Sequence, residues 1–372
     1  MKRLVLIIVT LLMFQCGWAE DMVGAWLLPS KNIGGINYLL YEEKGGVVVD
    51  NFNSWDGRLE LPSMVNWEGK DYPLIFLSWI AFKDCQTLTS ILIPETVQDI
   101  ITSYSDYLCE RDVIKSPFVG CTQLESIEVA EGNRWLSAAD GVLYNYDKTK
   151  LYNYPSGAKR THYTIPEGVQ YIGTEAFKGC VNLASVSIPN TVTQIFNACF
   201  SGCSNLEEII LPDNISIIYS GSFANCSKLE SIHLPDNLTE IGTSAFHKCI
   251  SLRKIVFPEK LKTLGYYIFE GCQLDTLVIK GNLDDSSIKK LLRDLDGSAT
   301  IYVLESEVER YRKLYSGTVL PLDATGIDAV ADLPSKTRET FDLQGRRIGK
   351  PQQGINIIRN ADGTTKKVLT KH

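Results

Sequence analysis

A 23-residue period shared by two independent residue types constrains this chain more than any other feature of its 372 residues. Prolines Pro166, Pro189, Pro212, Pro235 and Pro258 follow one another at steps of 23, and so do Cys180, Cys203, Cys226, Cys249 and Cys272. One unit reads Leu183, Val186, Ile188, Pro189, Val192, Ile195, Phe200, Cys203, and the next reads Leu206, Ile209, Leu211, Pro212, Ile215, Ile218, Phe223, Cys226. The template is L-x-x-I-x-I-P-x-x-V-x-x-I followed by F-x-x-C. So short a unit has too few apolar residues to close a core alone and must stack them on its neighbours, so every template position becomes a row along the array. The implied fold class is a repeat solenoid.

Within a unit, I-x-I-P alternates in and out as a short strand, with Val186 and Ile188 inward and Ser187 outward. Proline ends the strand because it has no N–H for the next ladder bond. The three-residue spacing of F-x-x-C suits one face of a helical turn on the opposite side of the coil. Earlier units carry insertions: Cys85 and Cys121 are 36 apart, as are Pro94 and Ala130, one repeat plus thirteen. The second insertion, residues 132–157, contains GVLYNYDKTKLYNYP, two tyrosine-rich runs about a polar Asp147 to Lys150 turn, and reads as a hairpin rising out of the array. At the far end Leu274 arrives one residue early and Lys280 replaces proline, so the array is expected to span 59–280.

IPNTVTQI, AFKGC, CSNLEEIILP and AFHKC resemble the BspA-like leucine-rich repeats of bacterial surface proteins. The resemblance covers roughly Leu59 to Lys280; WEGKDYPL and ADGVLYNYDKTKLYNYP look like inserts of that family, and ATIYVLESEVERYRKLY like its end-cap. It implies a right-handed α+β leucine-rich-repeat array of short parallel strands, export to the cell surface, and protein–protein binding, including adhesion to host matrix or other cells.

The flanks are expected to close the array. Residues 1–19 read as a signal peptide: Lys2 and Arg3 precede an apolar run from Leu4 to Phe14, too short to span a bilayer of about 30 Å, with Gly17 and Ala19 before the expected cleavage. Acylation of Cys16 as a lipid anchor is the alternative, against which Gln15 argues. Residues 20–58, with the strand-like runs INYLLY and GGVVV, read as an N-terminal cap. Residues 281–323, where SSIKKLLRDL and SEVERYRKLYS have helical periodicity around TIYVL, read as a C-terminal cap. Residues 324–372 form a small basic β module, with nine Lys or Arg against three acids from Lys336 to His372, in a chain of net charge −7. That module resembles a short C-terminal segment of exported Bacteroidetes-type proteins, which implies sorting or surface retention.

No transmembrane helix is expected, and the net charge of −7 argues against a chain built to bind nucleic acid. Seven of ten cysteines share one repeat position. Rungs about 4.8 Å apart with parallel side chains do not meet the convergent geometry of a disulfide, so the expectation is buried free thiols, with Cys109 unplaced. Four histidines, His162, His233, His247 and His372, stand in no nucleophile or metal motif, and no catalytic, P-loop or dinucleotide pattern occurs. Neither cofactor nor enzymatic activity is expected. The outward strand row, Leu92, Glu128, Thr164, Ser187, Ile210, His233, Val256 and Val278, should line one sheet face, and its apolar second half (Ile210, His233, Val256, Val278) is a candidate partner-binding surface. Tyr144, Tyr146, Tyr152 and Tyr154 are the other candidates, since tyrosine is enriched in interfaces; against this, alternate tyrosines would pack the hairpin onto the array. A solenoid offers long surfaces and no deep pocket, so the expected partner is a macromolecule, a protein first. An envelope assembly component and a glycan-processing accessory are the competing readings.

Overall fold

The computed structural model describes residues 28–52, 54–101 and 115–322, and by backbone alone the strands within 339–370. Residues 1–19, Cys16, Cys109 and His372 lie outside the described residues. The I-x-I-P segments form parallel ladders in the expected register. His162–Thr164, Ser185–Ser187, Glu208–Ile210 and Ser231–His233 make one sheet, so that Ser187 faces Ile210 and Ile210 faces His233. Gly57–Glu60, Leu88–Ile93 and Ser126–Val129 make another, and Lys254–Phe257, Thr276–Ile279, Thr300–Val303 and Val319–Pro321 a third. Val186, Ile209, Ile232 and Ile255 point inward and are buried, which fixes the in/out phase.

A second parallel strand per unit, not expected from the sequence, covers the end of the V-x-x-I segment: Tyr171–Ile172 pairs with Gln194–Ile195, Ile217–Ile218 with Glu240–Ile241, and Glu240–Ile241 in turn with Thr263–Leu264. F-x-x-C forms a single turn rather than a helix, closed by bonds such as Cys203 N–H to the Phe200 carbonyl at 3.1 Å. These turns also bond from unit to unit: Phe177 N–H reaches Cys199 O at 2.9 Å and Phe223 N–H reaches Ala245 O at 2.8 Å.

The phenylalanines stack. Phe177, Phe200, Phe223, Phe246 and Phe269 are separated by centroid distances of 5.1, 5.6, 5.5 and 5.7 Å with near-parallel rings. Beside them the cysteine row is buried except for half-buried Cys272, and its members are free thiols. Each thiol donates to the carbonyl of the aromatic residue one unit earlier, at 3.1 Å for Cys203 to Phe177, 3.2 Å for Cys226 to Phe200 and 3.1 Å for Cys249 to Phe223. A small apolar side chain with one weak donor is what this dry position requires.

The tyrosine-rich insert does not rise out of the array. Leu136–Ala139, Val142–Asn145 and Lys150–Asn153 form an antiparallel meander whose last strand pairs in parallel with Tyr171–Ile172. Its side chains alternate between two cores. Leu143 and Tyr152 join the apolar cluster that runs from Ile36 to Leu136, while Val142, Tyr144, Leu151 and Tyr154 join the one that continues to Val319. Tyr154 takes the phenylalanine position of its unit, stacking 5.1 Å from Phe177, and its carbonyl is the acceptor nearest the Cys180 thiol. Gly157 takes the cysteine position, where a Cβ would come within 2.5 Å of the Gln123 backbone.

Past the last repeat, helix α1 (Asp285–Asp294) is N-capped by Asp284, which accepts from Ser287 N–H at 2.7 Å. Ser287, Lys290 and Asp294, spaced to lie on one helix face, bond to Leu264 N–H at 2.9 Å, Leu264 O at 3.0 Å and Phe269 N–H at 3.2 Å. Equivalent groups one unit earlier, Ile241 O and Phe246 N–H, are bonded instead by backbone of the following unit, Gly265 N–H and Ile268 O. Side chains of α1 thus occupy the hydrogen-bond positions of a further repeat. Helix α2 (Val308–Arg312) follows the Thr300–Val303 strand, as the helical periodicity on either side of TIYVL anticipates. Toward the C-terminus, Glu339–Phe341, Arg347–Ile348, Gly354–Arg359 and Thr365–Thr370 form a four-stranded antiparallel sheet.

One row departs from ordinary backbone geometry. Glu175, Ala198, Gly221, Ser244 and Tyr267, each 23 residues apart, all sit at left-handed φ between 51° and 67°. Glycine suits such a site, and a bulky side chain there is uncommon.

Candidate functional site

The sheet face of His162–Thr164, Ser185–Ser187, Glu208–Ile210 and Ser231–His233 carries two outward rows. His162, Ser185, Glu208 and Ser231 form one, with His162 Nδ1 2.7 Å from Ser185 Oγ; Thr164, Ser187, Ile210 and His233 form the other. Ser187 and His233 are exposed and Ile210 is half-buried between them. The strands hold a shallow groove of about 330 Å³, lined on its outer side by Ser187, Asn190, Glu208, Ile210, Asp213 and His233. Asn190 and Asp213 belong to it without having been anticipated. Both directly follow the strand-ending proline, and their 23-residue separation was the available signal. Asn214 Nδ2 donates to Asn190 O at 2.8 Å, which ties this rim from one unit to the next.

The remaining row candidates divide. Val256 is half-buried and faces Val278 in register, but in a different sheet from His233, so the four residues are not consecutive rungs of one sheet. Val278 is buried at 1% exposure, with Val256 on one side and the larger Tyr302 on the other in register, and it offers no surface to a partner.

The tyrosines divide more sharply. Tyr146 is 61% exposed, whereas Tyr144, Tyr152 and Tyr154 are buried, so the packing reading holds for three of the four. The Tyr144 and Tyr163 hydroxyls are 2.5 Å apart, and burial first, then this bond, pushes the Tyr144 phenol far above its usual range. Tyr152 donates to Asp99 at 3.1 Å, and burial, reinforced by that carboxylate, likewise raises its phenol. These side chains close a core and do not present a contact surface.

Nearer the N-terminus, Arg58 lies on the face of the Gly57–Glu60 sheet and forks onto Glu128 at 2.7 and 3.1 Å while reaching Glu60 at 3.1 Å. The hydrogen-bonded Arg58 guanidinium holds Glu128 below the usual carboxylate range. Among the described residues no group of three or more His, Cys, Asp or Glu could hold a metal ion, and no helix is long and apolar enough to cross a membrane.

Residues 148–275, about a third of the chain, match the BspA type leucine rich repeat region in six copies, and the array they form is of that type. No curated protein matches the chain. Among solved structures, the chain is similar to a leucine rich cell surface protein of Faecalibacterium prausnitzii, at 22% identity over 68% of this chain and 54% of that one with a TM-score of 0.37, and so spans about half its length. It is also similar to leucine-rich repeat proteins of Eubacterium ventriosum (22% identity, 60% and 68% of the two chains, TM-score 0.38) and Bacteroides ovatus (21%, 79% and 100%, TM-score 0.40).

Proposed function

We propose that this is an exported, non-enzymatic binding protein whose array contacts a macromolecular partner, a protein first, through the sheet face centred on Ile210 and His233. The observation that carries this reading is the groove over Ser187, Ile210 and His233, an outward, partly apolar strip flanked by Asn190, Glu208 and Asp213 on backbone fixed from unit to unit. Such a strip supplies an apolar centre with a polar rim, the usual anatomy of a protein contact. Val256 and exposed Tyr146 are secondary contacts in this reading. The array is a right-handed solenoid over 59–280, capped by 20–58 and 281–323, and 324–372 is a separate basic module; the hydrogen bonds from α1 into the last repeat support the second cap. Export rests on the 1–19 leader, so N-terminal sequencing of the secreted product is expected to begin at Glu20, and an acylated Cys16 would replace that account. Adhesion to host matrix or to other cells is the form of binding that the repeat type supports.

The test presents the purified protein to immobilised host matrix proteins and to envelope fractions, then repeats the capture with Ile210→Ser combined with His233→Ser. These changes extend the serine already present at 187 along the row, so the fold has little reason to object. Loss of capture by tenfold or more with an unchanged melt is the expected result. Unchanged capture means that this face is idle.

A further inference from the structure

We propose a second binding site, for acidic polysaccharide, at Tyr266, Tyr267 and Arg293, where the last repeat meets α1. The four preceding units place Thr174–Glu175, Asn197–Ala198, Ser220–Gly221 and Thr243–Ser244 at these two positions, small or polar residues in every case. The last unit alone puts two tyrosines there, and both stand in solvent at 49% and 44% exposure. Tyr267 does so at φ 58°, a backbone conformation that disfavours a bulky aromatic. The array therefore does not require these rings, since four units fold without them, and one is held at a conformational cost.

Cations gather on them. The Arg293 guanidinium lies 4.4 Å from the Tyr267 centroid and 5.4 Å from that of Tyr266, while Lys290 Nζ is 4.7 Å from Tyr266. Lys290 is committed to Leu264 O, but Arg293 is about half exposed, and the carboxylate beside it, Asp294, is 3.9 Å away, buried, and bonded to Phe269 N–H. Arg293 thus sets a guanidinium, about half exposed, against two exposed aromatic rings. A pyranose presents an apolar C–H face that stacks on a phenol ring and a hydroxyl rim that bonds to phenolic oxygens. A carboxylate or sulfate on that sugar matches the guanidinium fork bidentately. A lipid surface fits less well, because the apolar residues that follow, Ile268 and Phe269, are buried and leave no aliphatic wedge for acyl chains.

The experiment uses the whole chain, four soluble probes (polygalacturonate, dextran sulfate, neutral dextran and polyglutamate) and vesicles of phosphatidylcholine with phosphatidylserine. Binding to one or both acidic polysaccharides, with at least tenfold weaker binding to neutral dextran and to polyglutamate, is expected; the uronate and the sulfate arms identify the anion preferred. Tyr266→Thr with Tyr267→Ser, which restores the residues of the preceding unit, is expected to lower that affinity at least tenfold without lowering Tm. Arg293→Gln leaves the rings in place and is expected to weaken the binding of the acidic probes in the same way. The proposal is overturned if neither acidic polysaccharide binds, if polyglutamate binds equally well, if anionic vesicles bind through the same residues in preference to the polysaccharides, or if the variants retain full affinity. It is also overturned if the tyrosine variant loses Tm and Arg293→Gln retains affinity, because the rings would then only be holding α1. Capture of the protein partner through Ile210 and His233 is expected to be unaffected by these variants, so failure at either site leaves the other standing.

Discussion

Phe223→Ala is the sharpest test of how the array holds together. The ring is 1% exposed and lies between Phe200, at 5.6 Å and 3° between ring planes, and Phe246, at 5.5 Å and 7°. Truncating a buried phenylalanine typically costs about 3–5 kcal/mol in lost transfer energy and residual cavity. Here both faces lose a stacked partner, each such pair contributing roughly 0.5–1.5 kcal/mol beyond area, and the surrounding backbone is pinned by Phe223 N–H to Ala245 O and by the Cys249 thiol to Phe223 O, so collapse into the cavity is hindered. The expected loss therefore lies in the upper part of that range, about 4–5 kcal/mol, a large share of the roughly 5–15 kcal/mol that keeps a typical domain folded. Ser187→Ala, on the outward side of the same ladder, is expected to change stability by less than about 0.5 kcal/mol. Urea denaturation followed by far-UV circular dichroism and by tryptophan fluorescence measures both. A loss below about 1 kcal/mol for Phe223→Ala, or equal losses for the two variants, would refute the stacked-row account of the core.

Two further outcomes follow from buried groups. Burial pushes the Cys121 thiol up to about 12 and Cys180, Cys199 and Cys226 well above the ordinary value, so a thiol reagent at pH 8 is expected to modify half-buried Cys272 first and the rest of the row only after denaturation without reductant; mass mapping that finds three or more disulfides would overturn this. Burial also raises the carboxyl of Asp294, so the folded state binds its proton more tightly than the unfolded state, and ionisation costs stability as pH rises from about 3.9, the unfolded value. Asp294→Asn keeps an acceptor for Phe269 N–H, and its stability relative to wild type is expected to show no charge-dependent gain below pH 4 and to increase to a plateau above the folded value. A difference that does not change with pH would show that the group is not desolvated.

Much of the array was legible because a repeat converts sequence spacing into geometry. Once Val186, Ile209 and Ile232 are assigned inward, Ser187, Ile210 and His233 can only share the other face, and their register follows from the 23-residue step. The same logic placed the free thiols. It did not reveal the second strand of each unit, because two residues such as Tyr171–Ile172 are too short for a period to register. It also misjudged Val278, since exposure of an outward residue depends on what stands in the neighbouring rung, and that rung is no longer a repeat but the Thr300–Val303 strand with Tyr302. Nor could spacing reveal that Ser287, Lys290 and Asp294 would bond to the backbone of the last unit, because polar residues on one helix face read equally well as a solvated surface.

The tyrosine insert was misread for a more general reason. Alternation with period two is the signature of a strand with two unlike sides, and one side is ordinarily water. In Val142–Asn145 and Lys150–Asn153 both sides are protein: Leu143 and Tyr152 face one apolar cluster, Tyr144 and Leu151 the other. Tyrosine serves there because its ring fills a core while its hydroxyl finds a partner, Asp99 for Tyr152 and Tyr163 for Tyr144. Asn153, also buried, accepts from Ser116 in the same wall. The strands thus contribute side chains to both cores, and the clue lay in the 36-residue step from Phe118 to Tyr154, which puts Tyr154 in the aromatic row. An insert whose ends continue the array's own rows is part of the array, and replacing residues 142–155 with a flexible turn would remove a wall between cores and not an appendage.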